Sequence, residues 1–185
     1  MELTIKFIIF LIASLGIFWI SRPALSNRQH HGFYRFFSWE VILILFLLNA
    51  NLWFKNPLSF RQMISWISLL ISLGLIIAGV TAFQSQGKID KNHKDVTLLG
   101  IEKTTLLVTT GIYHYIRHPF YSSLLFLGWG IFLKNLTWAG LSLVMINTIL
   151  VFVIAQKEEA ENIRFFGTLY QTYMDKTKLF VPFLF

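Results

Sequence analysis

Residues 107–121 read Leu-Val-Thr-Thr-Gly-Ile-Tyr-His-Tyr-Ile-Arg-His-Pro-Phe-Tyr. They gather one arginine, two histidines, three tyrosines and a proline into a chain that is otherwise mostly hydrocarbon. Arg117 is permanently charged and offers a planar fork to a carboxylate or phosphate. His118 can donate or accept a proton. Pro119 suits the first position of a helix, which leaves free backbone N–H groups and a positive helix end beside it. Further on, Glu158 and Glu159 supply the opposite sign, for an ammonium or a sulfonium. Both signs together at a membrane surface suit a zwitterionic ligand that carries an amino-acid group.

Simpler readings exist for each residue. Arg117 can anchor topology, and Glu158-Glu159-Ala160-Glu161 can be a solvated helix face balanced by Lys157 and Arg164. No metal is expected. His114 and His118 are four apart, but no glutamate follows His114 and Pro119 breaks the frame. His30 and His31 are adjacent, so on a helix their side chains point about 100° apart, and no acidic residue lies near them in sequence. A P-loop, a nucleotide-binding glycine signature and a Ser/His/Asp arrangement are all absent from the sequence.

The elements that must position these groups are membrane helices. The chain has 185 residues, 55% of them hydrophobic and 14% charged, against about 25% charged in soluble domains. Its apolar residues come in blocks, so an all-α integral membrane protein follows. Without cysteine there is neither a disulfide framework nor a thiolate site. The net charge of +7 is assigned to topology and to anionic headgroups rather than to nucleic acid.

About five transmembrane helices are expected, near 3–20, 39–54, 63–83, 120–133 and 136–155. The first is read as a span ended by Pro23 rather than as a cleaved signal peptide, because Glu2 precedes Lys6 and Ser21-Arg22-Pro23 is a poor cleavage site. Residues 27–37 read as a short interfacial segment. Small residues four apart, Ser68 and Ser72, then Gly74 and Ala78, suggest close helix packing on the third span. Residues 84–105 form a polar connector. The last two helices, joined by Lys134-Asn135, must be antiparallel, and the first of them is too short to span alone.

The chain divides into an N-terminal three-helix part (1–83), a connector with the motif loop (84–118), and a C-terminal hairpin with its tail (119–185). Five crossings with the N-terminus outside place twelve of the sixteen lysines and arginines inside. The expected location is a bacterial cytoplasmic membrane, with the C-terminus and the central motif cytoplasmic.

At these residues the chain resembles the isoprenylcysteine carboxyl methyltransferase and phospholipid methyltransferase superfamily. The likeness rests on Gly111-Ile112-Tyr113 and Arg117-His118-Pro119-Phe120-Tyr121, then on Glu158-Glu159, Phe166-Gly167, Tyr170, Tyr173 and Pro182. It covers about residues 104–182. The glycine usual two positions after the motif tyrosine is Ser123 here.

The resemblance implies a multi-pass enzyme using S-adenosyl-L-methionine, with its cofactor site at the cytoplasmic face. His118, Tyr121, Glu158 and Glu159 would hold the methionine moiety, next to the helix start at Pro119. Residues 107–113, including Leu107, Val108, Gly111 and Tyr113, would wrap the adenosine. Arg117, His118 and Glu159 are the candidate catalytic groups. The acceptor would be a lipophilic or small carboxylate, amine or thiol reached from the bilayer, and only a protonated nucleophile needs a base. Two other readings stay open: an NADPH-dependent membrane reductase of the sterol-reductase type, which carries a related Arg-His-Pro-x-Tyr pattern, and a non-catalytic scaffold.

Overall fold

Lipid offers no hydrogen bonds, so long apolar runs must satisfy their backbone internally, as helices. The computed structural model describes residues 1–86 and 106–182. Its helices are α1 (Leu3–Leu25), α2 (His31–Asn49), α3 (Phe60–Gln86), α4 (Pro119–Phe132), α5 (Trp138–Phe166) and α6 (Thr168–Lys176). Short 3-10 turns occupy Ala50–Leu52 and Gly111–His114. No strand occurs among the described residues, and the chain is an all-α integral membrane protein.

Four of these helices, α1, α2, α3 and α5, are long and apolar enough to cross a bilayer. The fifth apolar helix, α4, has 14 residues, about 21 Å against a core of about 30 Å. The five expected crossings therefore become four full spans and one short helix. Most of the connector expected at 84–105 lies outside the described residues.

Two boundaries and one packing seam differ from expectation. Helix α1 runs through Pro23 to Leu25; a proline two residues from the end spoils only a bond of the last turn. Residues 31–37, expected as the latter part of a short interfacial segment, form the first turns of α2, whose cap is His30, accepting from the Gly32 N–H. The reason is phase. His31, Arg35, Ser38, Ile42 and Leu45 are all buried and recur at spacings of four and three, so one face carries the helix into the bundle. On α3 the packing seam is likewise not the one expected. Ser72 lies on it, but Ser68 is only partly buried and bonds within its own helix, and Gly74 meets nothing within 4 Å.

The α3–α4 seam is Gln62, Ser65, Ser72 and Gly79, the last three recurring every seven residues. Ser65 Oγ donates to the Gly130 carbonyl at 2.7 Å and Ser72 Oγ to the Ser123 carbonyl at 2.8 Å. The Gln62 amide donates to the Lys134 carbonyl at 3.2 Å. At Gly79 an added Cβ would sit 3.0 Å from the Phe120 ring. Small residues bring the backbones close, and hydroxyls then take up carbonyls that lipid cannot satisfy.

Helix α5 shows the same phase. Gly140, Val144, Asn147, Val151 and Ile154 are buried along one stripe. Asn147 joins three helices: it accepts from Ser38 Oγ of α2 at 2.7 Å and donates to the Leu124 carbonyl of α4 at 3.2 Å. Replacing Asn147 with leucine should lower stability by about 1–2 kcal/mol, because it strands Ser38 and Leu124. Unfolding in detergent micelles, compared with wild type, checks this.

Candidate active site

Continued toward the C-terminus at the same spacing, the inward stripe of α5 reaches Glu158 and Glu161. Glu159 falls about 100° out of phase. At this end of the bundle, residues from α2 to α6 enclose a cavity of about 970 Å³, at the upper end of ordinary small-molecule sites. Glu158 and Glu161 line it, and Glu159 is not among its lining residues.

One end of the cavity is built by the motif. Val108, Tyr113, His118, Tyr121 and Glu158 line it, with Phe83 of α3 closing the side. His118 is the residue before α4 and is 3% exposed. Its ring stacks on Tyr121 with centroids 5.4 Å apart. Its Nδ1 lies 3.9 Å from Glu158, and its Nε2 lies 3.5 Å from Glu159 without a well-aligned hydrogen bond. The other end is built by residues that the sequence reading had not assigned to the site: His30, His31, Arg35, Trp39 and Glu161.

Arg117 does something different from its neighbour. Its Nε donates to Glu159 Oε1 at 2.6 Å, and its Nη1 donates to the Met174 and Thr177 carbonyls at the end of α6. The planar guanidinium thus holds a carboxylate and two carbonyls at once. The tail after α6 runs parallel to the motif, with Lys178 N–H on Tyr115 O at 3.0 Å and Arg117 N–H on Lys178 O at 2.8 Å. Ser122 Oγ donates to the Phe180 carbonyl at 2.7 Å, and the Tyr173 hydroxyl donates to the Tyr113 carbonyl at 2.7 Å. The tail thus holds the motif from behind.

The expected site residues separate into three groups. Leu107, Val108, Tyr113, Arg117, His118, Tyr121 and Glu158 line the cavity. Gly111 supplies a turn at φ +61°, with a neighbour 3.3 Å from where a Cβ would be, and Pro119 opens α4. Glu159 is held by Arg117 and His118. Ser123, where a glycine was usual, fits by donating to the Phe120 carbonyl at 2.6 Å.

Burial pushes the Tyr170 phenol well above the ordinary tyrosine value, and the charge of Glu158 adds to this; the Asn162 side chain opposes it. Burial also raises Tyr173, against the opposing charge of Arg117. Both phenols stay protonated as hydrogen-bond donors.

An all-α membrane bundle with a two-signed cavity at one end is a class that includes several enzyme types, and a comparison with known families separates them. The family model for phospholipid methyltransferase matches residues 67–168. The chain belongs to the phospholipid methyltransferase family, and at that level it is a membrane methyltransferase. The match favours methyl transfer over the reductase reading. No curated protein and no solved structure matches the chain.

Two outcomes follow from this geometry. In Arg117→Lys the charge stays but the fork is lost, so limited proteolysis should cut residues 177–182 about tenfold faster than in wild type. Raised phenols also set a pH limit. Below about pH 10, the ordinary tyrosine value, both states keep their phenol protons and stability is unaffected. Above it the unfolded chain releases protons that the folded chain retains, so stability falls as pH rises. Melting in detergent across that range should show the fall, and Tyr173→Phe should flatten it.

Proposed function

We propose that this chain is an S-adenosyl-L-methionine-dependent methyltransferase acting on a lipophilic or small acceptor, similar to isoprenylcysteine carboxyl methyltransferases. The observation that carries the reading is Glu158 and His118 facing one cavity from the ends of adjacent helices, 3.9 Å apart.

The residues present fit that cofactor. Glu158 keeps about a quarter of its side chain open and suits the ammonium or sulfonium. His118 Nε2 is buried and has no well-aligned partner. Leu107, Val108, Tyr113 and Phe83 offer an apolar wall to a base. When bound, the cofactor supplies an electrophilic methyl group.

The chain's own part is positioning, which is worth about 7–11 kcal/mol at best. Arg117 and Glu159, tied to each other and to α6, fix the motif backbone rather than facing the reacting atoms. Ile76, Val80, Phe120 and Leu124 add apolar lining from α3 and α4, which suits an acceptor arriving from the bilayer. The charge count supports a cytosolic position for this end of the bundle, on the side where the cofactor is found. The lysines and arginines at Lys55, Arg61 and Lys134 gather at the other end, around a smaller cavity.

Calorimetry on the detergent-solubilised protein tests the reading. S-adenosylhomocysteine should bind and NADPH should not. Glu158→Gln and His118→Ala should each weaken binding by about tenfold, or 1.4 kcal/mol. NADPH binding with no response to S-adenosylhomocysteine would sink the proposal.

A further inference from the structure

Twenty-one residues of α3 separate Phe83, beside the active-site cavity, from Gln62 at the other end of the helix, a distance of about 32 Å. There, Lys55, Arg61 and Lys134 line a second cavity of about 340 Å³, with Ser59, Gln62 and Asn135. None of its lining residues is acidic.

Two helix ends meet at this cavity and make opposite demands. Cations suit the C-terminus of α4, where carbonyls are free. Arg61 Nη1 donates to the Leu133 carbonyl at 2.8 Å, and the Gln62 amide donates to the Lys134 carbonyl at 3.2 Å. The same cations stand at the start of α3, whose end is itself positive and whose first turn holds no acidic residue. Capping α4 uses one donor of Arg61, and a guanidinium has five.

Lys134 sharpens the imbalance. It is 1% exposed, and its Nζ has no hydrogen-bond acceptor among the described residues. The ammonium lies over the Trp66 ring, 3.5 Å from the centroid, with the Trp53 ring centroid at 5.3 Å. A ring face offsets only part of the cost of taking an ammonium out of water. Burial lowers the Lys134 pKa below the ordinary lysine value, and the charge of Arg61 lowers it further. What this end of the bundle lacks is a negative charge. Tryptophans collect at the membrane–water boundary, so Trp53 and Trp66 put the cavity near headgroup depth.

We infer that this cavity binds a phosphate group, carried by an anionic lipid of the adjoining leaflet or present as the free ion. One tetrahedral anion answers both demands. Its oxygens accept from the remaining donors of Arg61 and from Lys55, and it lies at the start of α3, where an anion is favoured. Its charge offsets that of Lys134. The site does not depend on the cofactor reading, and a group held there is too far from Glu158 and His118 to react.

The test uses the full-length protein in an uncharged detergent free of phosphate. Native mass spectrometry and thermal melting follow the addition of phosphatidylglycerol, a neutral glycolipid of equal chain length, and inorganic phosphate. Wild type should retain one phosphatidylglycerol about tenfold more tightly than the glycolipid, and inorganic phosphate should displace it. Lys55→Gln and Lys134→Met should each lose most of that preference. Without phosphate or lipid, Lys134→Met should melt no lower than wild type, because it removes a buried charge; a lysine serving only to stack on the tryptophans would melt lower when replaced. Inorganic phosphate binding as tightly as phosphatidylglycerol supports the site and gives it to the free ion. Equal binding of phosphatidylglycerol and glycolipid by wild type overturns the inference, as does a preference that either variant keeps in full.

Discussion

The site depends first on one ion pair. Arg117 and Glu159 are both largely buried, at 11% and 14% side-chain exposure, where an unpaired charge would be costly. Their pairing joins the start of α4 to the end of α5, and the two carbonyls that Arg117 also takes add the end of α6. Three chain segments are thereby fixed at one point. His118, the next residue, and Glu158, the preceding one on α5, are aimed at the cavity because their neighbours are committed to this tie. The positions that look most chemical in the motif are partly the frame, and the adjacent positions face the cavity.

A second constraint comes from the short α4. A helix that does not reach across the bilayer has to be covered, and α3 covers it with hydroxyls and small residues. Ser65 and Ser72 take α4 carbonyls directly, and Asn147 does the same from α5. These bonds hold the N-terminus of α4, with Pro119 and His118, at the depth where α5 presents its glutamates. Placement of the motif in the membrane and cohesion of the bundle are thus one problem, solved by the same polar atoms.

The cavity that results is shared between two parts of the chain. The matched family region contributes the motif and Glu158, whereas His30, His31, Arg35 and Trp39 come from α2 and its cap, outside residues 67–168. The division follows the bounds of the family match: one end of the cavity comes from inside the matched region and the other from α2, ahead of it.

Much of this was legible in the sequence. Apolar block length forced helices, because unsatisfied backbone cannot persist in lipid. The Arg-His-Pro-x-Tyr run with its later glutamates marked the family, and the twelve-to-four charge division marked one end of the bundle. Helical phase was also there to be read: the stripe Gly140, Val144, Asn147, Val151 points on to Glu158 and Glu161, although the adjacent pair Glu158-Glu159 draws the eye first. What the sequence could not supply were contacts between distant residues. His31 and Glu161 are 130 positions apart, and nothing local in either says that they meet. Whether Arg117 faces a ligand or a glutamate is likewise decided by which helix ends lie beside it. Side-chain chemistry determined what each residue could do, and packing determined which partner it found.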